Sequence, residues 1–452
     1  MTVSFIHLSD IHFGQERDDA LHFNNDVKAQ LIVDAAEIVR ALPSGVAHGI
    51  LVTGDIAQAG KAAQYADAGR WLDQLAEAVG CEPFRIQMVP GNHDLDRSLL
   101  SKGGTLMLDA IRAGGAAEYE AILASANDRA VLFARFKDYG KFCEGYDCAL
   151  DSEGRYATNL LVELAPGRFI RFVRLNSSLL CTGNEDEKNP ELMVGARQFT
   201  IPRTKGEEIV ALIHHPLHWF KDQVDVAKYL KSRARILISG HEHNPRVLVE
   251  EIEGGTDFMS LAAGATVPTR SNEPYAYTYN IIEFDWDSER DALAVKIHPR
   301  VWNPDLTRFE ADDKALGAPK PDFVLGCPNF RACTPSVARS QITDTAIPAA
   351  EAHDTPTVEI VAEVVENAKE PEVNPEFPGY RLLLLQFFRD LTEGERLRVL
   401  TELDAIPLDS EDLMTQATER HLFDWLISQG KLENIQQLVE HYIQMKDRGE
   451  GK

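Results

Sequence analysis

The 452-residue chain lacks a paired-cysteine framework. Its six cysteines (Cys81, Cys143, Cys148, Cys181, Cys327 and Cys333) form no CxxC pair. A chain of this length needs no disulfides to stay folded, so free thiols in a reducing compartment are expected. It also lacks any apolar run approaching the roughly 20 residues of a membrane span. The start, MTVSFIHLSD, has neither the basic beginning nor the long apolar stretch of an export signal. A cytoplasmic protein without membrane association is therefore expected. Basic residues are scarce: 46 Lys and Arg stand against 71 Asp and Glu, a formal net charge of -25. That balance argues against broad, charge-driven binding to nucleic acid or anionic lipid, while leaving room for a local basic groove.

What is present reads as an ordinary globular composition, 44% hydrophobic and 26% charged, long enough for two or three domains. Short apolar runs alternate with helical patterns over the first 300 residues. The runs are VSFIHL (3–8), GILVTG (49–54), FRIQMV (84–89), RFIRFVRL (168–175), EIVALI (208–213) and RILIS (235–239). They are rich in Val, Ile, Leu and Phe, as buried strands are. A helical pattern at 26–42 between the first two makes a βαβ unit.

Residues 95–157 break this rhythm and predict an inserted helical cap. Phe133, Phe136 and Tyr139 recur every third residue there, either to pack the insert's own core or to help roof a site. From 240 to 302 the pattern turns to strands, which suggests a second sheet packed on the first. The expected architecture is α/β, with two packed sheets flanked by helices over 1–314. Nine of the 22 prolines fall between Pro319 and Pro378, so 315–378 reads as an acidic, Pro-rich linker with one short helix near VEIVAEVVENAK. Apolar stripes at helical spacing over 379–446, with Gly430 placed as a helix C-cap, predict a separate all-α bundle within 379–452.

The unusual residues cluster just after apolar runs, where open α/β sheets bind ligands. Asp10 and His12 follow the first run. If the chain stays extended there, residues two apart share a face and could grip one metal ion. Asp55 follows the second run, where a lone carboxylate can bridge two ions. Asn92, His93 and Asp94 follow the third, with Asn92 able to ligate through its carbonyl oxygen while His93 faces substrate. His214 and His215 follow EIVALI. His241 and His243 follow RILIS and share a face. Oxygen and nitrogen donors without thiolate suit Mn, Fe, Zn or Ni better than Mg or Ca. Two such ions about 3.5–4 Å apart would clamp a phosphate and activate a bridging water. Other residues have duller readings. His7 is expected to be a core histidine, His48 and His298 ordinary surface or strand residues, and His218 and Trp219 packing or pocket-lining. Arg97 would serve a salt bridge or a phosphate. The stretch Gly54 to Lys61 has the wrong spacing for a phosphate loop.

The order D-x-H, GD, GNHD, H before Pro, and GHxH over residues 5–243 resembles the calcineurin-like metallophosphoesterase family, whose fold would span 1–302. The resemblance implies that Asp10, His12 and His243 hold one metal, that Asn92, His214 and His241 hold the second, and that Asp55 bridges them. It prefers His214 to His215 as the ligand. It implies that His93 stabilises the transition state or protonates the leaving group and that Asp94 orients His93. It also implies in-line attack by metal-bound hydroxide with no covalent intermediate, with Mn the ion expected in vitro.

The segment HLFDWLISQGKLENIQQLVEHY resembles the small effector-associated, death-like adaptor domains of bacterial conflict systems, and implies a protein partner or self-association through 379–446. Hydrolysis of a phosphodiester, as in cyclic-nucleotide and glycerophosphodiester phosphodiesterases, is the leading functional expectation. The alternative is a DNA or RNA nuclease effector in anti-phage defence, recruited through the C-terminal domain. A non-catalytic scaffold and a protein phosphatase are the remaining readings.

Overall fold

Runs of β-branched and aromatic residues closed by turn-formers become the strands of two sheets. A computed structural model describes residues 1–15, 20–252, 256–268, 276–312, 314, 316, 322–331, 379–406 and 416–447. Most of the Pro-rich segment, and the short helix expected at 358–369, lie outside the described residues. Two compact units divide the chain, Met1–Cys333 and Thr334–Lys452.

In the first sheet, β1 (Val3–Leu8), β2 (Gly49–Val52) and β3 (Ile86–Met88) run parallel. The second sheet begins with β4 (Ala157–Ala165), an edge strand absent from the expected runs, paired antiparallel to β5 (Arg168–Arg174). It continues in parallel through β6 (Glu207–Leu212) and β7 (Ile236–Ser239). The later strands correct the expectation of one new β layer. Strand β8 (Arg246–Ile252) and β9 (Thr256–Ala262) extend the second sheet, whereas β10 (Thr278–Asp287) and β11 (Ala292–Asn303) extend the first, with β10 antiparallel to β1. Each parallel set would otherwise leave an open edge of unpaired backbone groups.

A further correction concerns the linker. Strand β12 (Arg308–Ala311) and, beyond residue 315, β13 (Asp322–Gly326) both pair with β11, while Leu316, Cys327 and Phe330 are buried in the core. The phosphoesterase-like unit therefore runs past the expected boundary at 314, because those apolar residues cover one end of the sandwich.

One apolar layer joins the sheets. Phe5, Leu51, Ile282, Phe284 and Val295 meet Phe172, Val210, Leu212, Ile238 and Met259. Phe172 is its centre, with ring centroids 4.7 Å from Phe5 and 6.2 Å from Phe284. Outside this layer lie α1 (Ala20–Ala41) and α2 (Ala62–Ala78), tied by the Trp71 indole N–H donating to the Lys28 carbonyl at 3.1 Å. The insert forms α3 (Lys102–Gly114), α4 (Ala116–Ala124), α5 (Ala126–Phe133) and α6 (Lys137–Gly145). Its aromatics do more than fill the insert. Tyr139 and Phe142 pack on Tyr65 of α2, at 6.0 and 5.0 Å between centroids. No described helix is long and apolar enough to cross a membrane. The five described cysteines are buried and form no disulfide with one another.

The second unit has its own core. Helices Tyr380–Leu385, Glu393–Glu402, Gln416–Ser428 and Leu432–Asp447 bury Leu384, Phe387, Val399, Phe423, Ile435 and Val439. Thr392 and Glu395 form a capping box that starts the second helix. Gly430, at φ 75°, ends the third: its N–H and that of Lys431 bond back to Ile427 and Leu426. Arg396 and Glu419 form an ion pair inside this core, Nε to Oε2 at 2.5 Å.

Phe172→Ala should remove the central inter-sheet contact and lower stability by about 3–5 kcal/mol. Urea unfolding of the first unit, followed by near-ultraviolet circular dichroism, should show a lower midpoint; an unchanged midpoint would contradict this account of the core.

Candidate metal centre

Five loops leave the carboxyl ends of β1, β2, β3, β6 and β7, drawn from both sheets, and their side chains converge. Three donor clusters, each with ligand atoms within 4.8 Å of one another, share members: Asp10 with His12 and His243, Asp10 with Asp55 and His214, and His12 with Asp55 and His93. A fourth groups His214, His215 and His241. All seven proposed ligands and His93 thus lie around one centre, with Asn92 joined through His214.

The local backbone differs from the extended chain expected at Asp10 and His12. Strand β1 ends at Leu8, and Asp10, His12, Asp55, His241 and His243 have φ between 53° and 73°. Among the described residues only nine non-glycine positions have positive φ, and these are five of them. Each such conformation costs about 1–3 kcal/mol and persists only where the surroundings enforce it. The enforcement is visible: the Asp55 carbonyl accepts from the Ile11 and His12 N–H groups at 2.9 Å, and Gly54 O accepts from Asp10 N at 3.0 Å. Ile11 is fully buried, as expected.

Glycine is required beside three ligands. A Cβ on Gly54 would overlap the His214 imidazole, one on Gly91 the Asp55 carboxylate, and one on Gly240 the Ser9 hydroxyl and the Thr53 carbonyl. The glycines of GD, GN and GH are there to let ligand loops touch.

Asp55 sits between the donor groups. Its Oδ1 accepts from the His93 N–H at 2.8 Å, and its Oδ2 lies 3.3 Å from His12 Nε2 and 3.6 Å from His214 Nε2. On one side, His243 Nε2 is 3.1 Å from Asp10 Oδ1, and Asp10 Oδ2 accepts from Ser9 Oγ at 2.6 Å and from the His241 N–H at 3.1 Å. On the other, His214 Nδ1 donates to Thr53 O at 2.7 Å, which leaves Nε2 as a lone pair only 3.2 Å from Asn92 Oδ1. Two acceptors at that distance are satisfied by a cation. His12 follows the same pattern, Nδ1 towards Val267 O at 3.3 Å and Nε2 inward. A ring nitrogen pinned to a carbonyl, with its partner aimed at a common point, is the usual posture of a metal-ligating histidine. The residues present fit a pair of ions.

Charge points the same way. Burial raises both carboxyls, but His243 and His214 outweigh it at Asp10, and His214, His12 and His93 at Asp55, so both are held below the ordinary range. Burial pushes His12 down, yet Asp55 and then Asp10 lift it to about 9. Burial, aided by His214, takes His241 down to about 3. The carboxylates thus recruit positive charge while His241 stays neutral and ready to donate electrons.

Other expectations divide. His214, not His215, faces Asp55; His215 is engaged with Ser177 Oγ at 2.9 Å and Cys181 Sγ at 3.8 Å. His7 is buried, contacting Thr53 Oγ1 at 3.0 Å and Asn280 at 3.3 Å. His298 pairs with Glu283 at 2.7 Å on the sheet. Among the described residues Arg97 forms no salt bridge and donates to the Asn92 carbonyl at 3.1 Å. Trp219 packs edge-on to His241 at 4.4 Å, and His218 pairs with Glu242 at 2.8 Å.

Asp94 needs correction. Its carboxylate accepts from the N–H groups of Ile56, Ala57 and Gly91 and from Tyr65 Oη, at 2.9–3.2 Å, while the His93 ring is held by Gln58 O at 2.9 Å. Asp94 therefore braces the Asp55 loop against the Asn92 loop, and burial with the neighbouring Asp55 raises it to about 6. Sequence reasoning missed Ser9, Thr53, Gln58 and Val267 as anchors. Three of them act through main-chain carbonyls, which leave no side-chain signature. Asp94→Ala should weaken Mn2+ binding by about 10- to 100-fold in calorimetric titration; full affinity would show that the brace is dispensable.

Residues 3–245 match the calcineurin-like phosphoesterase family, and residues 379–441 match the GTPase-associated adaptor domain. A metallophosphoesterase-like protein of Bacillus subtilis, YydB, is 22% identical over 325 residues, covering 70% of this chain and 62% of its own length. This chain thus spans less than two thirds of that relative. Among solved structures, purple acid phosphatase from yellow lupin aligns at 12% identity and a TM-score of 0.38, over 75% of this chain and 57% of the other. The NAD nucleotidase of Haemophilus influenzae aligns at 10% identity and a TM-score of 0.35, over 74% and 55%. With more than half of its length matched and the D-x-H, GD, GNHD and GHxH loops brought to one place, the chain belongs to the calcineurin-like phosphoesterase family.

Proposed function

We propose that this metallophosphoesterase hydrolyses a phosphodiester, of nucleotide or cyclic-nucleotide type, at a centre of two transition-metal ions. The observation carrying this reading is the placement of the Asp55 carboxylate between two donor groups. Asp10, His12 and His243 would hold one ion with Asp55, and Asn92, His214 and His241 the other. Bound there, such ions supply Lewis-acid polarisation of phosphoryl oxygens and make water more acidic. The remaining work falls to the chain. The His93 Nδ1–H donates a hydrogen bond to Gln58 O, which leaves Nε2 as the position that would carry a proton to the departing oxygen. The carbonyls of Thr53 and Val267 keep His214 and His12 in the tautomer that points a lone pair inward.

Charge around the site supports a diester over a monoester. Glu185, Asp186 and Glu191 line a cavity against Trp219, and Glu187 and Glu242 flank His218. A singly charged diester meets less repulsion there than a monoester dianion, and a polynucleotide with its many phosphates meets the most. A second reading rests on residues 379–441. An adaptor domain would couple the enzyme to a protein partner, and destruction of nucleotides or nucleic acid in a bacterial conflict system is the setting it favours.

Protein supplied with Mn2+ should release p-nitrophenolate from bis(p-nitrophenyl) phosphate, and Asp55→Asn should reduce release to background. His93→Ala should lower kcat by about 10²- to 10⁴-fold while Mn2+ still binds. Inactivity with every divalent metal tried would falsify the catalytic reading. Deleting 379–452 should leave kcat unchanged, since that segment has its own core, but should abolish capture of a partner carrying a similar domain; loss of turnover on deletion would contradict the adaptor role.

A further inference from the structure

The dinuclear centre accounts for the phosphoryl end of a substrate. It does not account for a cavity of about 160 Å3 that shares Trp219 with it. Trp219 packs edge-on to His241, 4.4 Å away between centroids, and joins Leu180, Leu192, Asn184, Asn189 and Arg112 around the cavity. Three separate parts of the chain build this wall: helix α3 of the insert, the 180–192 loop, and the turn after His214. They are tied together. Lys221 Nζ donates to the Arg112 carbonyl at 2.8 Å, and the Arg112 guanidinium bonds Glu191 at 3.0 Å and Thr182 at 3.4 Å.

We infer that this cavity holds the nucleobase of a nucleotide phosphodiester whose phosphorus sits at the metal centre; the inference rests on the phosphodiester reading above. An aromatic wall with two leucines suits the flat face of a heterocycle. The edges of a base offer both donors and acceptors. The side-chain amides of Asn184 and Asn189 offer both as well and make no hydrogen bond among the described residues. Acidic residues also line the cavity and would suit an alkylammonium headgroup, but all three are already engaged, Asp186 by the Lys188 N–H at 3.0 Å. Glu185 accepts from the Thr182 and Gly183 N–H groups, and Glu191 pairs with Arg112. What remains unengaged is amide hydrogen-bonding capacity beside an aromatic ring, the combination by which bases are read.

The arrangement assigns the insert a role. Through Arg112 of α3 it forms part of the wall that receives the base, apart from Arg97, the insert residue that donates to the Asn92 carbonyl.

The test separates the pocket from the chemistry. Adenosine, which has no phosphate, is titrated into the full-length metal-free protein and tryptophan fluorescence is followed. Saturable quenching is expected, with the quenched component missing in Trp219→Phe. The double variant Asn184→Ala/Asn189→Ala should bind adenosine about 5- to 150-fold more weakly, the range carried by contacts to one base. With Mn2+, kcat/KM for the p-nitrophenyl ester of adenosine 5'-phosphate should exceed that for bis(p-nitrophenyl) phosphate, and the double variant should lower this ratio. No adenosine binding together with equal use of the two esters overturns the base pocket and leaves the phosphodiesterase reading standing. Adenosine binding without hydrolysis of either ester has the opposite meaning. Preference for p-nitrophenyl phosphorylcholine over the adenosine ester assigns the cavity to an alkylammonium group and also overturns the proposal.

Discussion

Two buried carboxylates, Asp10 and Asp55, share donor clusters with His214 and His12 at the seam between two sheets. In water such a pair would be ordinary. Inside the protein, charge of one sign without compensation is untenable, and nearly every nearby feature answers to that constraint. His12 and His243 are raised by the carboxylates, the lone pairs of His214 and Asn92 face each other, and Asp94 is driven upward by burial and by Asp55. Asp55 carries the most connections. Its main chain fixes the turn that presents His12, its Oδ1 takes the His93 N–H, and its Oδ2 faces histidines from both sheets.

The same residues bear backbone strain. Five members of the donor cluster lie in the left-handed region, a conformation sustained by the surrounding hydrogen bonds. The close-packed Phe5–Phe172–Phe284 layer joins the two sheets whose strand ends carry these loops. Histidine tautomers are set by carbonyls rather than by carboxylates, which keeps the negative charge of Asp10 and Asp55 directed inward.

Much of this was legible in the residues. Each ligand motif follows an apolar run, and those runs are strands whose carboxyl ends meet. Glycine before Asp55, Asn92 and His241 was visible, but the reason was not, since only coordinates show what a Cβ would strike. Spacing alone suggested that Asp10 and His12 share a strand face. They instead depend on two successive departures from strand geometry, which no periodicity signals. Asp94 stands beside His93 in sequence, yet its carboxylate turns towards the Asp55 loop, because adjacent side chains diverge and three unsatisfied N–H groups lie on that side. The strands after residue 245 were recognisable as strands. Their division between two sheets was not, because alternation specifies a buried face without naming the neighbour. Strand β13 was hidden among prolines: five residues beside a long β11 suffice for pairing but are too short to stand out from a Pro-rich background.

The insert is anchored on α2 and on the 179–181 loop. Tyr139 and Phe142 seat it on α2, and Arg135 clasps the carbonyls of Leu179 and Cys181. Its leading helix contributes Arg112 to the cavity wall beside Trp219. Lengthening, shortening or exchanging the helices from Lys102 to Gly145 would therefore reshape what is admitted while the loops carrying Asp10, Asp55, Asn92 and His214 keep their positions, a route by which selectivity diversifies with the donor cluster untouched.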